Sequence, residues 1–212
     1  MKRFISSILL CLMVTASVYA EEPKKSSSAT PKDYVACFSQ WDTKLKTLQT
    51  NFVQTTEYDG VLISQSDGKL TYQKEGSKLR LDNTDGQNIT QTALTDKKQI
   101  WILDEKGQEI STLSWNDWIT GQPNQALFDF GNYAALMARH ETSVFEHKDA
   151  RVLLRLKPKD QTQNYTLYVS INEADCFPIS ITIQSELMKT TALLTQQQVN
   201  QALPKDLFKG IK

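Results

Sequence analysis

From about residue 49 to residue 113 apolar residues recur at every second position. The runs are cut by Asp59-Gly60, Asp67-Gly68, Glu75-Gly76, Asp85-Gly86 and Lys106-Gly107. Period two with turn-forming pairs is the pattern of short half-buried strands. Strands are expected at residues 51–58, 61–64, 69–74, 78–83, 89–95, 99–104 and 109–113. Their connections are too short for a parallel crossover, which needs about a dozen residues, so the strands must be antiparallel neighbours. A second series is expected at 143–147, 151–158, 164–172, 177–186 and 190–200. Within it, Ile179 to Gln184 alternates strictly, as in a sheet with one dry face and one wet face.

Two segments break this period. Tyr34, Cys37, Phe38, Trp41, Leu45 and Leu48 recur at three and four residues, an amphipathic helix with an aromatic-rich stripe. Thr30 is its expected N-cap, with Pro31 in the first turn and Asp33 completing a capping-box spacing. Trp115, Trp118 and Ile119 lead into a loop at residues 121–124. A second helical segment then carries Leu127, Phe128, Phe130, Tyr133, Leu136 and Met137, broken at Gly131. The expected fold class is α+β: an antiparallel sheet of roughly eleven or twelve short strands that curls into a barrel or a half-barrel. The N-terminal and mid-chain helices are too few to coat both faces, and are expected to cover the concave face as a lid.

The first twenty residues read as an address. Lys2 and Arg3 precede an apolar run to Val14, and Val18 and Ala20 provide a small-residue cleavage site, so 1–20 is expected to be a secretory signal peptide. Cys11 lies inside the apolar run and leaves with it. Residues 21–31 are polar and are expected to form a flexible leader, with a single domain over 32–212. The full chain carries 24 basic and 24 acidic residues, and the mature chain has a net charge of −2. Nucleic-acid binders carry a basic excess, so nucleic acid is not an expected partner. The mature chain keeps Cys37 and Cys176. In an oxidising compartment they are compatible with one disulfide tying the N-terminal segment to a late strand, or with two buried free thiols.

The search for catalytic chemistry is empty. There is no G-x-S-x-G elbow, P-loop or dinucleotide fingerprint. His140 and His147 lack the further ligands a metal site needs, so no metal or cofactor is expected. Asn88-Ile89-Thr90 and Asn164-Tyr165-Thr166 match the glycosylation triplet, a pattern too short to carry weight. What remains is apolar. A curled sheet whose concave side is not filled by its few helices can hold an apolar guest, each buried methylene contributing about 0.8 kcal/mol. The candidate cavity residues, assigned by alternation, are Phe52, Leu70, Tyr72, Leu81, Trp101, Leu136, Met137, Leu154 and Ile181.

Five pieces in order resemble the periplasmic outer-membrane lipoprotein carriers of the LolA type. Phe52-Val53-Gln54-Thr55 resembles the family's F-x-Q strand, and Gly68-Lys69-Leu70-Thr71-Tyr72 its G-x-L strand. Thr95 to Asp104 resembles its S/T-D-G-K-x-L-W-x-Y strand. Leu136-Met137-Ala138-Arg139-His140 resembles its L-I-A-R-N helix, and Leu154 to Lys159 its strand ending in L-x-P-K. The resemblance runs over residues 33–210. It implies a curled antiparallel sheet, an incomplete β-barrel of about eleven strands with helices as its lid, and a non-enzymatic, monomeric periplasmic carrier that receives lipoprotein acyl chains from an inner-membrane ABC transporter and passes them to an outer-membrane acceptor lipoprotein. The alternatives are the same fold carrying or sensing another lipid or glycolipid, and a secreted β-rich protein-binding module with a filled core. Three departures stand out. Glu75 replaces the arginine that latches the family's lid, leaving Arg80 as a substitute; Leu81 stands where the family has an aromatic; and Cys37 and Cys176 are not a family feature.

Overall fold

The computed structural model describes residues 32–121 and 129–210. The signal peptide, the leader, the Thr30-Pro31 cap and the apolar pair Leu127 and Phe128 lie outside the described residues. Lys32–Lys212 form one compact unit. Helix α1 spans Tyr34–Lys44. Its N-cap is Asp33, not Thr30: the Asp33 carboxylate accepts from the Ala36 N–H at 3.0 Å. The helix also ends earlier than the apolar spacing implies. Leu45 is its C-cap, and Leu48 already belongs to strand β1, Thr47–Tyr58. The tertiary pairing wins here. Asn200 Oδ1 accepts from the N–H groups of Lys46 and Thr47, and Thr47 pairs with Gln73.

Strand β2 is a single thirteen-residue strand, Val61–Gln73. The β1–β2 turn is Asp59-Gly60, with φ of 49° and 76°, the pair of positive values a tight primed hairpin turn requires. Asp67-Gly68, expected as a second turn, lies inside β2. The reason for its glycine is close approach: a Cβ on Gly68 would overlap the Asp82 carbonyl oxygen and sit 3.0 Å from Phe52 Cζ. A short 3-10 turn, Glu75–Ser77, leads to β3 (Lys78–Asp85), β4 (Asn88–Thr95), β5 (Gln99–Asp104) and β6 (Glu109–Ser114). Helices α2 (Trp115–Gly121) and α3 (Tyr133–Ala138) follow. Then come β7 (His140–Lys148), β8 (Arg151–Pro158), β9 (Thr166–Asn172), β10 (Pro178–Gln184) and β11 (Met188–Val199). Gly121, expected as the first residue of the 121–124 loop, is the last residue of α2, and the rest of that loop lies outside the described residues. Ser114 Oγ accepts from the Asp117 N–H at 3.0 Å and starts the turn.

All eleven strands form one antiparallel sheet in the order β6-β5-β4-β3-β2-β1-β11-β10-β9-β8-β7. Two sequential meanders are joined by one long-range pairing, β1 with β11, in which Phe52 lies opposite Leu194. The sheet is open and curled: β6 and β7 are its two edges, and the connection carrying α2 and α3 runs between them. One face of the sheet packs with α1 and α3 in the main core. Leu48 and Phe52, Leu154 and Leu156, and Leu167 and Val169 all point to that face. On the other face a smaller cluster of Leu94, Trp101 and Phe208 is covered by the segment after β11.

Candidate functional site

Eight of the nine residues assigned to a cavity by alternation meet in the main core: Phe52, Leu70, Tyr72, Leu81, Leu154 and Ile181 on the sheet, and Leu136 and Met137 on α3. Trp101 does not. It pairs in register with Leu94 and packs with Phe208 on the opposite face. Ala93, one residue from Leu94, is the β4 residue that packs against the main core. A one-residue difference in facing moves a strand side chain from one surface of a sheet to the other. The C-terminal Phe208 supplies a second apolar layer that periodicity cannot reveal.

The lid helices fill the concave side with aromatic rings. Phe38 of α1 stacks with Trp41 at 5.9 Å and meets Tyr133 of α3 at 5.3 Å. Phe130 lies edge-on to Tyr133 at 5.6 Å and touches the Tyr72 ring at 6.4 Å. Phe38, Phe130 and Tyr133 have no exposed surface. Beside α1, about 220 Å³ of open space is lined by Cys37, Trp41, Leu45 and Val199 among others. That is smaller than the roughly 300–1,000 Å³ of a ligand pocket. A larger depression of about 430 Å³ is lined by Glu146, Lys148, Asp149 and Arg151 and is too charged for a lipid tail. Among the described residues, the space between the sheet and the helices is filled by the protein's own rings.

A buried polar cluster joins α1 and the β4–β5 turn to the start of α3. Asp42 sits on α1, 1 % exposed, and reaches across to the start of α3. Its Oδ1 accepts from the Gly131 N–H at 2.6 Å and its Oδ2 from the Tyr133 N–H at 2.8 Å. The Ala134 N–H is a further donor to it. These are orphan groups at a helix start, so Asp42 caps α3 from another helix. Asn132, in the cap position itself, instead donates to Asp129 Oδ2 at 2.6 Å. Lys97, in the β4–β5 turn, donates to Asp129 Oδ1 at 2.7 Å and to the Phe130 carbonyl at 2.8 Å, and its ammonium lies over the Tyr72 ring. Burial pushes the Asp42 carboxyl above its ordinary range, against the opposing pull of its backbone donors and Lys97. Burial and the neighbouring Asp42 and Asp129 push Tyr72 up to about 12 and Tyr133 well above its usual value.

The lid contacts therefore do not come from Glu75, which is exposed in its 3-10 turn, nor from Arg80. Arg80 faces the opposite side, bound to Asp82 at 2.8 Å and to the Leu207 carbonyl at 3.0 Å. Asp42 and Lys97 went unrecognised in the sequence. Asp42 did leave a signal, an acid four residues after Phe38 and in register with the buried stripe. Lys97 lies within the Thr95 to Asp104 stretch that resembles the family strand, but a lysine in a turn is ordinary and nothing there marks it as a partner of Asp129. Cys37 and Cys176 are joined, with their Cα atoms 6.0 Å apart, tying α1 to the β9–β10 turn. Among the described residues no group of His, Cys, Asp and Glu is arranged to hold a metal ion, and no helix is long and apolar enough to cross a membrane.

MucB of Pseudomonas aeruginosa, in complex with MucA, superposes with a TM-score of 0.49 at 16% identity over 84% of this chain. The chain spans 59% of that neighbour's length. A LolA-superfamily protein of Nitrosomonas europaea aligns over 85% of this chain and 98% of its own, at 12% identity and a TM-score of 0.45. The Mycobacterium tuberculosis lipoprotein LppX aligns over 81% of this chain and 95% of its own, at 10% identity and a TM-score of 0.49. No curated protein matches the sequence. The family model described as outer membrane lipoprotein carrier protein LolA matches residues 43–210, most of the chain. This chain belongs to the LolA family of outer membrane lipoprotein carriers.

Proposed function

We propose that the protein is a periplasmic carrier that takes lipoprotein acyl chains under its helical lid and moves them from the inner to the outer membrane. It would receive them from an ABC transporter and deliver them to an acceptor lipoprotein, with no bond made or broken. The observation that carries this reading is a continuous apolar sheet face covered by helices that a few polar contacts hold in place. Phe52, Leu70, Tyr72, Leu81, Leu136, Met137, Leu154 and Ile181 are the proposed acyl-chain contacts. Trp101 is left out because of its facing. A closed lid suits a carrier rather than a store. If opening costs about 3 kcal/mol, roughly one molecule in 150 is competent, and apparent affinity falls by that factor. That weakening favours onward transfer.

Depleting the protein in its source cell and fractionating the membranes tests this. Lipoproteins retained on the inner membrane are the expected result, and an unchanged distribution would overturn it. The packed interior favours a second reading, a β-rich protein-binding module whose core never opens. Saturable displacement of a dansylated fatty acid by unlabelled lipid supports the carrier, and no binding at all supports the module.

A further inference from the structure

Building on the carrier reading, we propose that the lid opens on one side only: α1 is a fixed wall of the cavity, and the arm Asp129 to Ala138 is the part that swings.

Helix α1 is tied to the sheet at both ends. The disulfide joins Cys37 to Cys176, which is fully buried in the β9–β10 turn and donates its N–H to the Asn172 carbonyl at 2.9 Å. Near the start of α1, Lys32 Nζ donates to the carbonyls of Glu173 and Ala174 at 2.5 and 3.1 Å, and the Tyr34 hydroxyl to Glu173 Oε1 at 3.0 Å. Near its end, Lys74 Nζ donates to the Thr43 carbonyl at 2.6 Å. Moving α1 would require breaking a covalent bond or distorting two sheet turns.

The arm with α3 is built otherwise. Its C-terminal end is anchored to β7 and the residues just after β8. Lys159 donates from Nζ to the Ala138 carbonyl at 2.8 Å and from its backbone N–H to the Arg139 carbonyl at 3.0 Å. His140 Nδ1 is bonded to the Leu136 carbonyl at 2.7 Å. Among the described residues, the groups that hold its N-terminal end are noncovalent and include the Asp42 carboxylate and the Lys97 ammonium. The arm thus has a pivot near Arg139 and a catch near Gly131. Gly131, at φ 79°, lies so close to the Tyr72 hydroxyl that a Cβ there would overlap it. The catch closes only because that position has no side chain. Release of the catch withdraws Phe130 and Tyr133 and leaves Phe38 on the stationary wall, facing the uncovered Tyr72. The bonded cysteines set this asymmetry, so the redox state of the pair decides whether one side of the lid moves or both.

Amide hydrogen exchange on the oxidised mature chain, read by mass spectrometry, tests this without a ligand. In the wild type, amides of 130–138 should exchange faster than those of 37–44. Lys97→Met should accelerate 130–138 about tenfold and leave 37–44 unchanged. Gly131→Ala, a second route to the same opening, should do the same. Both variants should bind a dansylated fatty acid about tenfold more tightly, because a larger fraction is open. Dithiothreitol should then accelerate 37–44 as well. Faster exchange in 37–44 than in 130–138, or joint acceleration of both segments in the oxidised variants, overturns the one-sided lid. Probe binding that rises only after reduction also overturns it. If the arm moves alone but no form binds the probe, the hinge stands and the carrier reading falls.

Discussion

Asp42 is an acid in the middle of an apolar stripe, and its burial is tolerable because it satisfies three backbone donors that α3 cannot satisfy itself. Asp42→Ala strands those N–H groups in a dry interior. We expect a loss of about 2–4 kcal/mol, read as a lower urea midpoint, with Asp42→Asn losing less because one acceptor oxygen remains. The Asp42 carboxyl is held above its ordinary range, so proton binding at this group favours the folded protein over the unfolded chain. That contribution is complete below the ordinary carboxylate value and fades as pH rises through the raised one. His140 has the opposite slope. Burial, with help from Arg139 and Lys159, lowers its pKa below the ordinary 6.5. The unfolded chain therefore binds a proton first, and stability present above the ordinary value is lost as pH falls through the lowered one. Its ring faces the Leu136 carbonyl on one side and the Tyr165 hydroxyl on the other. Thermal melts between about pH 8 and pH 5 should show a smaller fall for His140→Gln than for the wild type.

At the scale of elements, β2 shows where pattern reading succeeds and where it misleads. Alternation places Leu70 and Tyr72 on the inner face, and they are there. The pair Asp67-Gly68 has the same composition as the Asp59-Gly60 turn, yet it lies in mid-strand. Only the neighbouring strands explain it: Gly68 lies opposite Phe52 on β1 and Asn83 on β3, and the backbones approach too closely for a methyl group. Gly68→Ala should cost about 1–3 kcal/mol through overpacking, whereas Gly86→Ala, in an open turn, should cost less and only through its positive φ of 61°. Equilibrium unfolding of the two variants side by side checks the ranking. The helices follow the same lesson. The apolar spacing of α1 continues to Leu48, but pairing of Thr47 with Gln73 converts the last of it to strand. Ser114 accepts from the Asp117 N–H and starts α2, a local capping signal readable in the sequence beside the expected loop at 121–124.

At the scale of the whole molecule, stability depends on links between distant parts of the chain. The β1–β11 pairing closes the two meanders into one sheet, and the disulfide spans 139 residues of sequence. Replacing both cysteines by serine should lower stability by about 2–5 kcal/mol and loosen α1 without abolishing the sheet, since the strand pairings do not depend on it. Chemical denaturation and far-ultraviolet circular dichroism together test both halves of that expectation.

The alternation and turn pairs by themselves determined an open antiparallel sheet with few helices, because side-chain period and connection length are local properties. They determined most of the inner face for the same reason. They left undecided whether Cys37 meets Cys176 and what replaces the basic latch lost at Glu75, and they put Trp101 on the wrong face. Those depend on which surfaces meet in space. A cysteine pair needs two elements brought to bonding distance, Trp101 needs the C-terminal segment as a second layer, and the catch needs a helix start, a turn lysine and an acid from another helix to converge on Gly131.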